Sequence, residues 1–600
     1  MVIAEDLARE QRSISVAEFF EKNKHLLGFD SPTRGIITTV KEAVDNALDA
    51  CEEAEVLPDI FVGVKRVEDE VYRITVEDNG PGIVPENVPP VFGKLLYGSR
   101  FHQIRQSRGQ QGIGISAAVL YAQLTTGTPA RITSRTGAKT PAHRFEVMIR
   151  TETNEPEVIS HEKIEWDRTH GTRIEIQFRS TLAAKKRLLD YLRLTAIVNP
   201  HARITADIDG EITVFERASD EVPPCPKPVL PHPHGIEFGA LKRLAAASTG
   251  TVEEFLVGSF SRVGKKTAEE MISLAGLKPS RKANKLDSNE LKRLLEAMQA
   301  VRVPAPPAQQ CLSPIGEDLI CRGLEKEIHL DFIKARTRPS AVYGGHSFIV
   351  EAAIGYGGRI PPEGNARILR FANRVPLLYQ QGACAITDCV SQVNWKNYGL
   401  AQQGLPMGPV LIMVHVASTN VPFTSESKDA IASIPEIERE IVLVLQELGR
   451  ELKRYLSRRE KKKLQDDRAR AVCSIIPEIA AKVSEIVELP PVDTTPIEGR
   501  IMRKVVAKKR TVDGKVSIEV NNYTGKEVEI VIYSLSRDAA EDAVPRPDFV
   551  DSIDGEYNKV WRCTLGAGEA WRVLYTGTGE GTFDLRGVDD GMKVVVDLDV

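Results

Sequence analysis

The stretch SPTRGIITTVKEAVDNALDACEEA, residues 31–54, decides the fold. Ser31 can cap a helix N-terminus with its side-chain oxygen, and Pro32 suits the first helical turn. Ile36, Ile37, Val40, Val44 and Leu48 recur as one apolar stripe, so the spacing predicts an amphipathic helix. Glu42 and Asn46 stand four apart and project from one face of it. A carboxylate so placed can activate water, and a neighbouring amide oxygen can ligate Mg²⁺. Alone, the pair reads as a solvated helix face, and the sequence around it has to supply the context.

Downstream, VYRITVEDNGPGIVP at 71–85 reads as a strand running into a glycine-rich turn. Asp78 follows the strand, and Gly80 and Gly82 allow a backbone to approach a ligand closely. Then SRGQQGIGISAAVL at 107–120 places Gly109, Gly112 and Gly114 before an apolar helical run that starts near Ile115. Glycines leading into a helix expose backbone N–H groups, which suit phosphate. The spacing is not that of the GxxxxGK[ST] phosphate loop. Finally HGTRIEIQF at 170–178 looks like a strand, with Thr172 near its start.

These four pieces, in this order, resemble the GHKL ATPase superfamily. EAVDNALDA matches its N-box, DNGPGI and GQQGIGIS match its two glycine boxes, and HGTRIEI matches its threonine strand. The resemblance implies a Bergerat-type α/β sandwich that binds ATP with Mg²⁺. Glu42 would be the general base and Asn46 the Mg²⁺ ligand. Asp78 would accept the adenine amino group, assisted by Thr172, with Gly80 and Gly82 lining the base pocket. Ser99, Arg100 and the loop Gly109, Gln110, Gln111, Gly112, Ile113, Gly114, Ile115 and Ser116 would form a lid. The superfamily also needs a cation at the γ-phosphate. The glycine loop has no lysine, so that charge is expected from elsewhere.

The expected source is Lys428, in VPFTSESKDAIASIP at 421–435. This stretch and RFANRVPLLYQQGACAIT at 370–387 resemble the transducer domain of the type IIB DNA topoisomerase (topoisomerase VI) B subunits. There a loop lysine reaches back to the γ-phosphate. FLVGSFSRVGKKTAEEMISLAGLKPS at 255–280 resembles the helix–two-turn–helix module of the same subunits. Its Arg262, Lys265, Lys266, Lys278, Arg281 and Lys282 are candidates for sequence-independent contact with DNA phosphates, or a solvated face. The resemblance covers roughly residues 10 to 490. It implies an ATP-dependent homodimer, strapped by SVAEFFEKNKHLLGF at 15–29, and an A2B2 complex with a DNA-cleaving A subunit acting on double-stranded DNA.

The rest of the chain supports a multidomain α/β reading. Proline-rich breaks at 223–235, 303–310 and 489–499 separate four expected parts. These are an ATPase domain at 1–225, a helical module at 226–306, a transducer at 307–488, and a linker with a C-terminal β-sandwich at 489–600. The transducer should end in a long helix from near Ser433, with Ile437, Ile441, Leu445, Leu448, Leu452 and Leu456 on one face and RREKKK at 458–463 beyond it, an arm toward the cutting subunit. The tail alternates strands and turns, with Trp561, Trp571 and Cys563 as expected core, and lies outside the resemblance.

Composition sets further bounds. Six hundred residues imply several domains. A net charge of −4 restricts any DNA contact to local basic patches. No long apolar run predicts a membrane span, and MVIAEDLAREQRSISV is not a signal peptide. Eight cysteines without a CxxC pair point to a reduced cytoplasmic protein without structural zinc. No toprim or tyrosine module is evident. Asp597 and Asp599 form an Asp-x-Asp, but in the last strand and without an upstream acidic loop, so DNA cleavage is expected from another chain. Three rivals are weaker. A mismatch-repair ATPase clamp lacks the insert at 236–302. A histidine kinase needs a dimerisation helix pair, whereas only His25 precedes the N-box. A non-enzymatic DNA-binding scaffold would not need Glu42.

Overall fold

The computed structural model describes residues 13–24, 28–99, 103–109, 112–181, 185–425, 428–490, 492–553 and 555–599. Arg100, Gln110, Gln111, His25 and part of the expected strap lie outside the described residues. The chain divides into two compact units, Met1–Tyr455 and Leu456–Val600.

The first unit opens with α1 (Val16–Lys22) and α2 (Pro32–Glu53). Ser31 caps α2 as the sequence suggests: its Oγ accepts from the Arg34 N–H at 3.3 Å, with Pro32 in the first turn. Ile36, Ile37, Val40, Val44 and Leu48 are at most 2% exposed. Each such burial stabilises by about 1.5–3 kcal/mol. Eight strands follow: β1 (Asp59–Glu68), β2 (Val71–Glu77), β3 (Ala130–Arg135), β4 (Ala142–Arg150), β5 (Glu155–Ile164), β6 (Gly171–Arg179), β7 (Arg203–Ile208) and β8 (Glu211–Phe215). They form one sheet in the order β5-β4-β3-β6-β2-β1-β7-β8, antiparallel except for β1 and β7. Between the strands come α3 (Val88–Gly93), α4 (Gly114–Thr126) and α5 (Lys185–Val198). Helix α2 packs on α4 and α5, and the three lie on β2, β6 and β7 respectively. The strands alternate buried and half-buried positions, as expected when one face carries the helical layer.

A helical module comes next, with α6 (Phe238–Ala247), α7 (Val252–Ser259), α8 (Lys265–Leu274) and α9 (Ser288–Ala300). It has its own core, including Leu241, Phe255, Met271 and Leu294. Thr251 with Glu254, and Asp287 with Glu290, close capping boxes at α7 and α9. The proline-rich stretch before this module is tied down by hydrogen bonds to remote segments. The Lys227 N–H donates to the Gln310 carbonyl at 2.7 Å and the Val229 N–H to the Ile104 carbonyl at 3.1 Å. His232 is buried, with Nε2 3.1 Å from the Pro304 carbonyl. Proline composition signals an extended chain, but the partners that tie it down are remote in sequence.

The transducer region contains α10 (Glu317–Glu327), β9 (Phe332–Thr337), β10 (Ala341–Tyr343), β11 (His346–Tyr356), β12 (Arg367–Ala372), β13 (Val375–Pro376), α11 (Ala385–Gln392), a hairpin of β14 (Ala401–Gln403) and β15 (Leu405–Met407), and β16 (Val410–Ser418). Its sheet runs β10-β11-β16-β12-β13, with β9 beside β11. Every residue of β16 is buried, as a central strand covered on both faces requires. The long helix, α12 (Pro435–Ile486), begins two residues after Ser433. Ile437, Ile441, Leu445, Leu448 and Leu452 are fully buried along it. No helix among the described residues is long and apolar enough to cross a membrane.

In the second unit, a short helix precedes two four-stranded sheets, ordered β22-β18-β17-β24 and β20-β21-β19-β23. The strands are β17 (Val505–Val512), β18 (Lys515–Asn522), β19 (Val528–Ser536), β20 (Phe549–Ile553), β21 (Glu556–Leu565), β22 (Ala570–Thr576), β23 (Gly581–Arg586) and β24 (Lys593–Asp599). Trp561 is buried in their shared core, with Cys563 and Trp571 packed against it. Asp597 is ion-paired with the buried Lys509 at 2.9 Å.

Candidate functional site

Glu42 and Asn46 of α2 open onto a cavity of about 590 Å³. Its deep wall is built where β2 ends. The Asp78 N–H donates to the Thr172 carbonyl at 2.9 Å, continuing the β2–β6 ladder by one bond. The Asp78 carboxylate then turns inward, and its Oδ1 accepts from the N–H groups of Gly80 at 2.8 Å and Thr172 at 3.2 Å. Burial pushes its pKa up to about 6, against the pull of those two donors. Gly80 therefore serves by holding Asp78, whereas Gly82 is the glycine at the cavity wall. Gly82 has φ +74°, and a Cβ there would lie 2.1 Å from the Arg135 carbonyl oxygen. Gly171, which sequence reading passed over, is equally constrained: its Cβ would meet the Asp78 carbonyl at 2.2 Å.

The opposite wall is the glycine loop and the start of α4. Gly109, Gly112, Ile113, Gly114 and Ile115 line the cavity, and the exposed Ser99 stands at its edge. Among the described residues no side chain caps α4, which leaves its first N–H groups for another acceptor. Ser116 is turned away: it is buried and its Oγ donates to the Ile113 carbonyl at 2.9 Å. A Cβ on Gly114 would fall 1.8 Å from Glu42 Oε2, so any larger residue would make that carboxylate turn or the loop shift.

Lys428, from a loop more than 300 residues beyond α2, lines the same cavity. Its Nζ donates to the Arg108 carbonyl at 3.1 Å. The neighbouring Asp429 forms an ion pair with Arg34 in the first turn of α2, and the Arg34 guanidinium stacks 4.4 Å over the Tyr379 ring. Arg34, Tyr379 and the buried Lys41 line the cavity as well, and sequence reading missed all three. Lys41 adjoins Glu42, which was a usable signal. The partners of Arg34 had none, being remote in sequence. Arg108, a natural second candidate for the phosphate cation, is instead committed elsewhere. Its guanidinium is 4% exposed and paired with Asp49 and Glu52, each at 2.6 Å.

The cavity chemistry fits ATP. Its lining combines the buried acceptor Asp78, the lysines Lys41 and Lys428, the N–H groups at the start of α4 and the half-buried carboxylate of Glu42. The Asn46 amide is exposed at the same cavity. The six basic candidates of the helical module are all exposed. Three of them also bind within the protein: Arg262 to the Ala305 carbonyl at 3.2 Å, Arg281 to Glu290 at 2.6 Å, and Lys282 to the Thr249 carbonyl at 3.1 Å. Lys265 and Lys266 are the first two residues of α8, and Lys278 follows its end.

Three family profiles match the chain. Residues 32–181 match the histidine kinase-, DNA gyrase B- and HSP90-like ATPases. Residues 307–468 match the transducer of the topoisomerase VI B subunit, and residues 488–595 match the C-terminal domain of the B subunit of type 2 DNA topoisomerase 6. The last match extends the likeness to the tail, where sequence reading had found none. The chain is 48% identical over 585 residues to the type 2 DNA topoisomerase 6 B subunit of Methanococcoides burtonii, covering 96% of this chain and 94% of that protein. It is 50% identical over 584 residues to the protein of the same name from Methanosarcina mazei, with the same coverage. Among solved structures, the DNA gyrase B-subunit of Myxococcus xanthus aligns at a TM-score of 0.37 and 14% identity, covering 73% of this chain and 95% of that chain.

Proposed function

Because the chain belongs to the family of topoisomerase VI B subunits, we propose that its cavity is the ATP site of a strand-passage machine and that Lys428 completes it. Family membership makes it the ATP-dependent B subunit of a type IIB DNA topoisomerase, with a GHKL ATPase domain and a transducer. One observation carries the site reading. Glu42 and Lys428, more than 300 residues apart in sequence, line a single cavity.

The roles follow from chemistry. Asp78 Oδ2, free of the backbone donors, accepts the adenine amino group, with Thr172 beside it. The glycine loop and the α4 N-terminus hold the phosphates. Glu42 takes the proton of the attacking water, and Gly114 leaves it room. Lys428 meets the charge that develops on the γ-phosphoryl oxygens. Asn46 would hold Mg²⁺, which neutralises phosphate charge when bound. Asp429, held by Arg34, sets the register of the Lys428 loop on α2.

A clamp reading follows. ATP closes two copies into a dimer, and two A subunits complete an A2B2 complex that cleaves and passes double-stranded DNA. The exposed lysines at the start of α8 favour backbone contact with DNA. The test is Glu42→Ala. The variant should bind ATP with Mg²⁺ normally, yet hydrolyse it about 10²–10⁴-fold more slowly. Near-normal turnover would remove Glu42 from the role of base.

A further inference from the structure

Beneath the glycine loop lies a second, buried cluster of charges that nucleotide chemistry does not use. Arg108 immediately precedes cavity-lining Gly109. Its guanidinium reaches Asp49 at 2.6 Å, both oxygens of Glu52 at 2.6 and 2.9 Å, and Asn199 Oδ1 at 2.5 Å. Asp49 and Glu52 belong to the helix that carries Glu42 and Asn46. Asn199 follows α5 and uses its Nδ2 to donate to the Arg374 carbonyl at 3.3 Å. Arg374, in the turn between β12 and β13, is 4% exposed, and its guanidinium lies 3.9 Å from Glu52. Two cations and two carboxylates thus balance inside one junction. Burial alone would raise the Glu52 carboxyl, but Arg108 and the His201 ring hold it well below the usual carboxylate range.

The same junction joins the stretch before the lid to the transducer. The Gln106 N–H donates to the Cys311 carbonyl at 2.8 Å, and its side chain exchanges bonds with Ser313 at 2.8 and 3.3 Å. Asn373 donates to the Ser107 carbonyl at 3.1 Å. The Arg374 N–H donates to His415 Nε2 at 2.9 Å, which leaves the ring proton on Nδ1 for Glu351 at 2.8 Å. An unbroken series of bonds therefore runs from the transducer core through Arg374, Asn199 and Arg108 to the carbonyl that seats Lys428.

We propose that Arg108 is a positioning residue for ATP hydrolysis: its side chain locks the lid base to α2 and the transducer, and so fixes the carbonyl on which Lys428 is seated. The proposal rests on the reading of Lys428 as the γ-phosphate cation. A buried guanidinium with a fork of partners suits this role, because it fixes orientation as well as distance. Lysine keeps the charge but cannot span Asp49, Glu52 and Asn199 together.

The experiment is a double-mutant cycle in the full chain with its A subunit. Arg108→Lys, Lys428→Ala and the double variant are compared by single-turnover ATP hydrolysis, after thermal melting shows each to be folded. Arg108→Lys should slow hydrolysis about 10- to 100-fold, the scale of a small misplacement of a reacting group. It should weaken binding of a non-hydrolysable ATP analogue and leave ADP affinity within about twofold, since ADP lacks the phosphate that Lys428 meets. In the Lys428→Ala background the same change should cost nothing more. If the two effects multiply, or if ADP affinity falls in parallel, Arg108 is a folding residue only and the proposal fails. If Lys428→Ala alone hydrolyses ATP normally, the underlying reading of Lys428 fails, and the seat has no function to position. Should Arg108→Lys not fold, Asn199→Ala removes one arm of the junction and is read in the same cycle.

Discussion

Asp78 places an ionisable group, with a pKa of about 6, where the adenine ring is to be bound. Its folded pKa is raised by burial, so its contribution to stability is present below the unfolded carboxylate pKa. That contribution is lost as pH rises through about 6. A bound adenine amino group acts the other way, because it favours the ionised carboxylate. ATP affinity should therefore fall below about pH 6, by up to about tenfold per pH unit for one linked proton. Calorimetric titration from pH 5 to 8 checks this, and Asp78→Asn should remove this component of the pH dependence. A wild-type profile no steeper than that variant's would take Asp78 out of base recognition. Sequence made Asp78 and Glu42 legible because their motifs are local. Arg34 was not, since its value depends on Asp429 and Tyr379, which share no local pattern with it.

At the scale of elements, α2 and α4 meet where Gly114 lies against Glu42. Gly114→Ala adds one methyl where the Glu42 carboxylate stands, so the helix must shift or the base must turn. Hydrolysis should fall about 100-fold, the scale of a small displacement of a catalytic group. Steady-state kinetics alongside Glu42→Ala measure this, and wild-type rates would show that the contact is not needed. Helix α2 was readable to its cap, because Ser31, Pro32 and the apolar stripe all signal locally. Helix α12 was readable by its period: Ile437, Ile441, Leu445, Leu448 and Leu452 are buried as expected, whereas Leu456 is half-buried. For the 223–235 stretch, proline content reports local stiffness, whereas the carbonyls of Ile104 and Gln310 that receive its donors are remote in sequence. The tail's strands were legible by alternation. Their family was not, as no chemistry-bearing motif marks them.

At the scale of the whole molecule, two distant regions of one chain line one cavity. ATP binding should bring two copies together. Light scattering with a non-hydrolysable analogue should report a dimer that is absent without nucleotide. A monomer in both conditions, at concentrations well above micromolar, would contradict the clamp. Lys428 was legible only through resemblance to a family, since a lone loop lysine is normally solvated. Its seat on Arg108 and the junction beneath it needed the tertiary structure. On this reading Lys428 ties nucleotide state to strand passage. ATP-dependent relaxation of supercoiled DNA, with the Lys428→Ala chain reconstituted with its A subunit, decides whether it does. Loss of a preorganised cation should weaken transition-state stabilisation by roughly 3–4 kcal/mol, so ATP-dependent relaxation should be abolished. Relaxation at a near wild-type rate would contradict the claim.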